Sequence, residues 1–412
     1  MYMKMLRNSQ NPRKGVVGQR LSSRLAGLAL CAALMPFATA QADELAAVRS
    51  AKVPEGFSLS LYVDGVDNAR QMAWGDLGTL FVGSRRAGNV YAIRHDGGQP
   101  GEVQVLAKQL IQPSGLAFRD GTLYVAAVSR ILAFDNVEAA LADGRTVTPR
   151  VVTEDLPEDL HHGWKYLAFA PDGRLVVPVG APCNICDPEA PYASILALDL
   201  DAEPVRREVL ARGVRNSVGF DFDPMTGELV FSDNGRDHMG DDLPPDEINR
   251  LAQPGSHFGY PYWHGGVVAD PEYPLPKSLE GKLVDPIARL PAHVAPLGVH
   301  FYRGSQFPSP WRGALLIAEH GSWNRSSKVG YRITALTDPR GERGEENGGY
   351  RVLVDGWLDG ETPLARPVAL LPHPDGSVLI SDDYHGRIFR LSYDRSFVSI
   401  PTPALPASEN HD

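Results

Sequence analysis

Two adjacent histidines, His161 and His162, stand just before a predicted strand in residues 159–167. Imidazole titrates near neutral pH, so either ring could take a proton from a bound substrate as a general base. A histidine pair on its own is equally typical of a solvated or structural role. A catalytic interpretation therefore depends on the polar groups that the fold brings beside the pair.

A second polar stretch, residues 213–219, sets Arg215 beside Asn216 at the entrance of another predicted strand. Guanidinium and amide groups together form a fork of donors that suits carbonyl or carboxylate oxygens. A salt-bridged turn is the alternative interpretation of this stretch.

The third stretch, residues 232–249, combines many carboxylates with turn residues, including Gly235, Arg236, Asp246 and Glu247. Carboxylate and backbone carbonyl oxygens are the ligands that calcium prefers. The spacing is not that of an EF-hand, and an acidic solvated loop is the alternative.

Three cations lie on separate predicted loops. Arg325 and Lys328 follow the segment His-Gly-Ser-Trp-Asn that begins at His320, and Arg366 precedes a later strand. In an otherwise acidic chain such cations suggest an anionic ligand. Unpaired surface cations are the alternative.

The first 42 residues differ from the rest of the chain. Six basic residues and no acidic one are followed by an apolar run, residues 25–37, and then by Ala38, Ala40 and Ala42. This pattern predicts a secretory signal peptide cleaved after Ala40 or Ala42. A membrane anchor is disfavoured because the apolar run is shorter than the roughly 20 residues that span a bilayer.

Removal of the leader changes the net charge of the chain from −10 to −16. Such an acidic protein is not expected to bind nucleic acid, which needs clustered Lys and Arg. The composition also counts against a helical bundle, because 41 Gly and 34 Pro indicate many tight turns.

The tight turns follow a repeated pattern in which a large apolar residue, an Asp/Gly turn and a Leu-x-Val type strand occur in order. The six leading residues are Trp74, Phe118, Phe169, Phe222, Phe301 and Leu371. Units of this length with short strands predict an all-β fold, a six-bladed β-propeller spanning residues 43–397. A two-sheet sandwich is the alternative, and residues 398–412 are predicted to be a tail.

Two further features of the propeller can be predicted. The strand near residues 57–63 is expected to complete the last blade beside the C-terminal strands. The long interval from Asp233 to Val299 is rich in Gly, Pro and acidic residues, and we expect it to lie outside the core on one face of the ring.

The predicted mature chain keeps two cysteines, in the order Cys183-Asn-Ile-Cys186. In an exported protein this spacing favours a local disulfide. A c-type haem would need His at position 187, where Asp187 stands, and a zinc site would need a second ligand pair. A redox-active dithiol stays open.

Together, these stretches resemble the glucose/sorbosone dehydrogenase family of soluble quinoproteins over most of residues 53–395. The resemblance is carried by His162 to Leu167, by Gly-Val-Arg-Asn-Ser-Val-Gly at 213–219, and by Asn234-Gly235 leading to Asp-Glu-Ile-Asn at 246–249. Segments 180–184 and 320–325 look more like the sorbosone-type branch.

The resemblance implies a six-bladed propeller that binds pyrroloquinoline quinone (PQQ) and calcium. It implies that His162 is the general base that removes a hydroxyl proton while hydride passes to the quinone. Arg215 and Asn216 would contact the quinone oxygens, and the carbonyls of Gly235 and Arg236 would bind calcium.

The remaining roles implied by the resemblance concern charge. Glu247 would bind a second, structural calcium, and Arg366 would pair with a cofactor carboxylate, with Arg325 or Lys328 supplying the last cation. One position departs from the family. The glucose-oxidising branch has an Asp that orients the base where this chain has Ala181, so either Asp187 or another loop carboxylate takes over, or the base is held differently.

The expected protein is a periplasmic or secreted oxidoreductase, not a membrane protein, that oxidises an aldose or a sorbosone-like sugar aldehyde. A cytochrome or the quinone pool would accept its electrons. Two other classes stay open: a metal-dependent lactonase, which would need acidic and amide ligands around a central metal, and a binding propeller without catalysis.

Overall fold

The computed structural model describes residues 46–96 and 98–396. The predicted leader, residues 1–42, and the predicted tail, residues 398–412, lie outside the described residues. Among the residues described, no helix is long and apolar enough to cross a membrane. The described chain is built almost entirely from short strands.

The strands in chain order are β1 Phe57–Val63, β2 Ala69–Trp74, β3 Leu80–Ser84, β4 Val90–Asp96, β5 Gln99–Ala107, β6 Pro113–Arg119, β7 Thr122–Ala127, β8 Arg130–Phe134, β9 Arg150–Thr153, β10 Ala168–Phe169, β11 Leu175–Val179, β12 Ser194–Asp199, β13 Arg206–Arg212, β14 Phe220–Phe222, β15 Leu229–Asp233, β16 Asp246–Leu251, β17 Ser256–His257, β18 Trp263–His264, β19 Val268–Ala269, β20 Ala288–Leu290, β21 Pro296–Phe301, β22 Leu315–Glu319, β23 Arg332–Leu336, β24 Tyr350–Val354, β25 Leu358–Asp359, β26 Thr362–Pro363, β27 Pro367–Pro372, β28 Val378–Asp382 and β29 Arg387–Tyr393. Short helices are α1 at residues 46–50 and α2 Val137–Ala142, with 3-10 turns at Lys277–Leu279 and Glu346–Gly349.

Six sheets form the blades of a propeller, which confirms the predicted fold. Blade 1 is β2 to β5, blade 2 is β6 to β9, and blade 3 is β10 to β13 with β17 added in parallel. Blade 4 is β14, β15, β16 and β20, blade 5 is β21 to β24, and blade 6 is β27, β28, β29 and β1. The pairs β18–β19 and β25–β26 are separate ribbons.

The sequence repeats correspond to one structural unit, the hairpin between the first and second strands of a blade. Trp74 is the cross-strand partner of Leu80, and Phe222 is the partner of Leu229. The ring closes as predicted, because β1 pairs antiparallel with β29, from Phe57 opposite Tyr393 onward.

Adjacent blades are held together by close packing of their first strands. A Cβ at Gly219 would lie 2.3 Å from the carbonyl oxygen of Leu297, so only glycine permits this approach. The Ser232 hydroxyl also donates to that oxygen, at 2.7 Å, and thereby joins blade 4 to blade 5. The Ser381 hydroxyl donates to the carbonyl of Arg70 at 2.8 Å and joins blade 6 to blade 1.

The interval from Asp233 to Val299 does not lie wholly outside the core, and that expectation was wrong. Two outer strands of blade 4, β16 and β20, come from this interval, and Ile248 and Leu290 are buried in the core. The turn-rich composition of the interval gave no sign of β16 and β20. These strands extend a sheet through β15, which pairs with β16 and begins before the interval.

Candidate active site

A cavity of about 660 Å³ lies at one end of the blades. Because first and second strands run antiparallel, the starts of the first strands and the ends of the second strands meet at this end. The wall is formed by Arg70, Arg85, Arg86, Gln112, Leu160, His161, His162, Trp164, Arg215, Asn216, Asn234, Gly235, Asp237, Asp246, His293, Ala295, Leu297, His320, Gly321, Trp323 and Arg366.

Three wall residues occupy the same position in different repeats. Arg85, Asn234 and His320 each come five residues after the first residue of a second strand. The repeat therefore places chemically different side chains at equivalent points around one cavity, and sequence alone could have indicated Arg85 by this offset.

His162 is buried in the wall of the cavity, as the resemblance implied. Its Nδ1 lies 2.9 Å from the carbonyl oxygen of Ala181. A carbonyl only accepts hydrogen bonds, so Nδ1 carries the proton and Nε2 keeps its lone pair. The ring is thus held in the tautomer that a general base requires.

A backbone carbonyl takes the place of the orienting carboxylate. The hydrogen-bond partner of the His162 ring is the Ala181 carbonyl and not Asp187, whose carboxylate accepts a hydrogen bond from the Tyr262 hydroxyl at 2.6 Å. Gly180 lets the Ala181 carbonyl approach the ring, because a Cβ at Gly180 would lie 2.6 Å from the Cβ of His162.

Burial lowers the pKa of His162 well below 6.5, and the nearby Arg215 and His161 lower it further. The Ala181 carbonyl opposes this shift only in part. At neutral pH the imidazole is therefore uncharged and its Nε2 can accept a proton.

Arg215 is buried in the cavity wall, and its side chain makes four hydrogen bonds. Its Nε and Nη2 donate at 2.8 Å to the backbone and side-chain oxygens of Asn184, and Nη2 also donates to Asp237 at 3.2 Å. Its Nη1 donates to the carbonyl of Asn234 at 3.0 Å. A guanidinium has five N–H groups, so one Nη1 hydrogen is left for a ligand oxygen.

The predicted disulfide between Cys183 and Cys186 is present, and it closes the loop that carries Asn184. The residue before the loop, Ala181, accepts the hydrogen bond from His162. The short segment 181–186, which includes the disulfide, therefore contacts both His162, through Ala181, and Arg215, through Asn184.

Asn216 lines the cavity beside Arg215. The backbone N–H groups of both residues donate to the carboxylate of Asp233, at 2.8 and 2.7 Å. Asp233 ends β15, so the second strand of blade 4 fixes the loop that enters its first strand.

Arg366 lies in the cavity wall, where its Nη2 donates to the carbonyl of Gly321 at 3.0 Å. The sequence analysis missed three other arginines there: Arg70, Arg85 and Arg86. Arg70 is paired with Asp383 at 2.9 Å. Burial, with repulsion from Arg70 and Arg86, lowers the pKa of Arg85 to about 10.

Arg325 and Lys328 are not among the residues that line the cavity. Arg325 donates to the backbone and side chain of the Asp241–Asp242 turn, and Lys328 donates to the carbonyl of Glu361. The structure thus does not place either cation where the resemblance required one, because each binds an acidic loop nearby. Arg85 and Arg86, by contrast, line the cavity wall.

The proposed calcium ligands are close together in the chain but differ in setting. Gly235 lines the cavity, and among the described residues neither its carbonyl nor that of Arg236 accepts a backbone hydrogen bond. The Arg236 side chain points to Asp270 instead, at 2.6 Å. Two free carbonyl oxygens are acceptors of the kind that calcium uses.

Glu247 is buried and faces a separate small pocket with Asp233 and His264. Its carboxylate accepts hydrogen bonds from Asn249, at 2.9 Å, and from the Gly265 backbone. Burial and the neighbouring Asp233 raise its pKa to about 8. In the part of the chain that the structure describes, no three His, Cys, Asp or Glu side chains are arranged to hold a metal ion.

The charges of the cavity wall suit an anionic ligand. Five arginines face two carboxylates, Asp237 and Asp246, in its wall. Three wall atoms are buried without a hydrogen-bond partner: Arg85 Nε, Trp164 Nε1 and Gln112 Oε1. Unpaired buried polar atoms are costly, so these groups are expected to meet a polar ligand or water.

The protein is a six-bladed β-propeller with a cavity at one end whose wall contains arginine and histidine side chains. The family model described as glucose/sorbosone dehydrogenase matches residues 126–322, and a model described as TrAA12-like matches residues 278–394. An uncharacterized protein of Borreliella burgdorferi is 35% identical over 354 residues, which cover 84% of this chain and 91% of the relative. The chain belongs to the glucose/sorbosone dehydrogenase family, as predicted, and this membership supports an oxidoreductase.

Solved structures share this fold at low sequence identity. The holo PQQ domain of pyranose dehydrogenase from Coprinopsis cinerea has a TM-score of 0.67 and 18% identity, and the match covers 83% of this chain and 97% of that one. A calcium structure of a family AA12 enzyme from Trichoderma reesei has a TM-score of 0.68 and 21% identity, over 84% and 97%. The PQQ-bound aldose sugar dehydrogenase of Streptomyces coelicolor has a TM-score of 0.56 and 18% identity, over 83% and 100%.

Proposed function

We propose that this protein is a PQQ-dependent dehydrogenase that oxidises an aldose or a sorbosone-like sugar aldehyde, with His162 as the general base. One observation carries the proposal: a buried His162, whose Nδ1 is bonded to a backbone carbonyl and whose Nε2 keeps its lone pair, lines a cavity whose wall also contains five arginines. The family membership and the PQQ named for two of the structural neighbours support it.

The cavity wall would hold the quinone through charge and hydrogen bonds. Arg85, Arg366 and the remaining Nη1 hydrogen of Arg215 would bind its carboxylate and carbonyl oxygens, with Asn216 beside them. The backbone carbonyls of Gly235 and Arg236 would bind calcium next to it. When bound, the quinone supplies the acceptor for hydride.

The protein itself handles the proton. Nε2 of His162 would accept the hydroxyl proton of the sugar hemiacetal, or of the hydrate of a sugar aldehyde, as the carbon that bears this hydroxyl loses its hydride. The Nδ1–H bond to the Ala181 carbonyl stabilises the imidazolium that forms. Arg215 stabilises negative charge that develops on the acceptor side of the cavity.

A periplasmic or extracellular location is part of the proposal. The Cys183–Cys186 disulfide supports it, because such bonds persist in oxidising compartments. The electrons would then pass to an external acceptor, a cytochrome or the quinone pool.

The test is reconstitution of the purified protein with PQQ and calcium chloride. Aldoses and sorbosone are added with an artificial dye, and bleaching of the dye is followed. Sugar-dependent bleaching that needs PQQ is expected. Absence of bleaching with every sugar, together with absence of PQQ binding in an absorbance titration, would remove the proposal. Hydrolysis of sugar lactones by the same sample would instead establish the lactonase alternative.

A further inference from the structure

We infer that Trp323 is a stacking platform for the pyranose ring of the substrate at the mouth of the cavity. The inference rests on the proposed function and makes it more specific. It assigns a cyclic sugar, bound by its apolar C–H face, as the substrate class.

Trp323 both lines the cavity and is largely exposed to solvent. The residue is 68% exposed. Of the large apolar residues that are exposed in the described chain, only Leu160 shares this position in the cavity wall. The others lie away from it, as single exposed residues commonly do.

The exposed indole stands on a fixed base. The preceding residue, Ser322, is 1% exposed, and its N–H donates to the Val329 carbonyl at 2.9 Å. The Ser322 hydroxyl accepts from the Val329 N–H at 3.0 Å, and its carbonyl accepts from the Tyr331 hydroxyl. Three hydrogen bonds thus hold the backbone immediately before Trp323.

A ring contact also orients the indole. His238 meets Trp323 edge to face, with ring centroids 5.9 Å apart and planes at 88°. This contact supports one part of the indole, while the high exposure shows that much of its surface faces solvent. A rigid aromatic surface at a cavity mouth can bind a ligand at small entropic cost.

The chemistry of the wall indicates which ligand part meets this surface. The arginines that suit carboxylates belong to other loops, and the partners of Trp323 are a histidine ring and solvent. A pyranose ring presents axial C–H groups on one face, and this apolar face matches an indole. An open-chain polyol or a small aldehyde offers no such face.

The first experiment uses the cofactor-free protein labelled with 5-fluorotryptophan. Fluorine NMR is recorded during titration with glucose, and Trp323→Phe identifies the Trp323 resonance. Glucose is expected to shift that resonance, while sorbitol leaves it in place and the buried Trp357 does not respond to either. A Trp323 resonance that does not move with glucose would overturn the inference.

The second experiment uses the protein loaded with PQQ and calcium. Trp323→Ala should raise KM for an aldopyranose about fivefold and change kcat by less than about twofold, whereas Trp323→Phe should restore KM. KM for glyceraldehyde should be the same in all three proteins. Met225→Ala, at a residue 71% exposed on the opposite end of blade 4, is the matched control and should change nothing.

Equal rises in KM for the pyranose and for glyceraldehyde would also overturn the inference, because they would indicate a general distortion of the cavity. The two proposals fail separately. A glucose-dependent NMR shift without any dye reduction would reject the dehydrogenase and retain the sugar platform.

Discussion

The two ends of the propeller are built from the same hairpins but carry different chemistry. At one end, the turns between first and second strands hold Asp and Gly at the surface, as at Asp172 and Gly173. At the other end, the same strands deliver His162, Arg215 and Arg366 to a shared cavity. The two ends differ in whether their residues depend on local backbone conformation or on contacts with distant parts of the chain.

A hairpin turn forms when its own residues can adopt the backbone conformation that the turn requires. Gly78, for example, adopts a φ of 85° that favours glycine. A cavity residue depends on partners from other blades, as Arg215 depends on Asn184 and Asn234. Substitutions at the cavity end should therefore change function, and substitutions at the turn end should not.

The largest effect is expected for His162→Ala. Loss of the base should lower kcat at least about 100-fold while PQQ affinity changes little. His373→Ala is the control, because His373 follows β27 at the turn end. Steady-state kinetics and an absorbance titration measure both quantities. Near wild-type turnover by His162→Ala would mean that His162 is not the base.

The next effect concerns stability, at Lys165 beneath the cavity. Its Nζ is buried and donates to the Gly163 carbonyl at 2.6 Å, and burial lowers its pKa to about 7. Lys165→Met removes a buried charge, so the variant should be more stable than wild type at pH 6 by a few kcal/mol.

The pH dependence of that difference has a definite sign. Between pH 7 and 10.5 the folded lysine is largely neutral while the unfolded one stays protonated, so wild-type stability rises with pH relative to the variant. Urea unfolding at pH 6 and pH 9.5 should show the gap closing. A constant gap would mean that the Lys165 pKa is not lowered.

A smaller effect is expected for the arginines of the cavity wall. Arg366→Gln and Arg85→Gln should each weaken PQQ binding about tenfold, which corresponds to about 1.4 kcal/mol, and should leave the kcat of the saturated enzyme nearly unchanged. An absorbance titration at constant ionic strength measures the dissociation constant. Unchanged affinity in both variants would contradict the assignment of the cavity to an anion.

The smallest effect is expected for Arg325→Gln and Lys328→Gln. Both side chains bind acidic loops outside the cavity wall, so PQQ affinity should change less than about twofold. The same titration compares them with Arg366→Gln. A loss as large as that of Arg366→Gln would show that the loop moves its cations into the cavity when the ligand binds.

The sequence was sufficient for the features that depend on local pattern. The repeat led by Trp74 and Phe222 predicted the blades, because each hairpin carries its own turn and its own cross-strand pair. The resemblance to the family singled out His162, Arg215 and Arg366, and all three lie in the cavity wall, while their catalytic and binding roles stay predictions.

Long-range contacts explain what the sequence did not predict. Nothing near His162 indicates that the Ala181 carbonyl, 19 residues later, would accept its Nδ1–H bond. Arg70 in blade 1 is paired in the wall with Asp383, which follows 313 residues later, directly after a blade 6 strand. Blade 4 was incomplete in the prediction because a long connection separates β16 from β20.

The most direct test of the account is a crystal structure of the protein with PQQ and calcium. The account predicts the quinone in the cavity, with its carboxylates at Arg85 and Arg366 and with Nε2 of His162 facing the space that a sugar would occupy. A quinone bound elsewhere, or a His162 ring whose Nδ1 has left the Ala181 carbonyl, would contradict it.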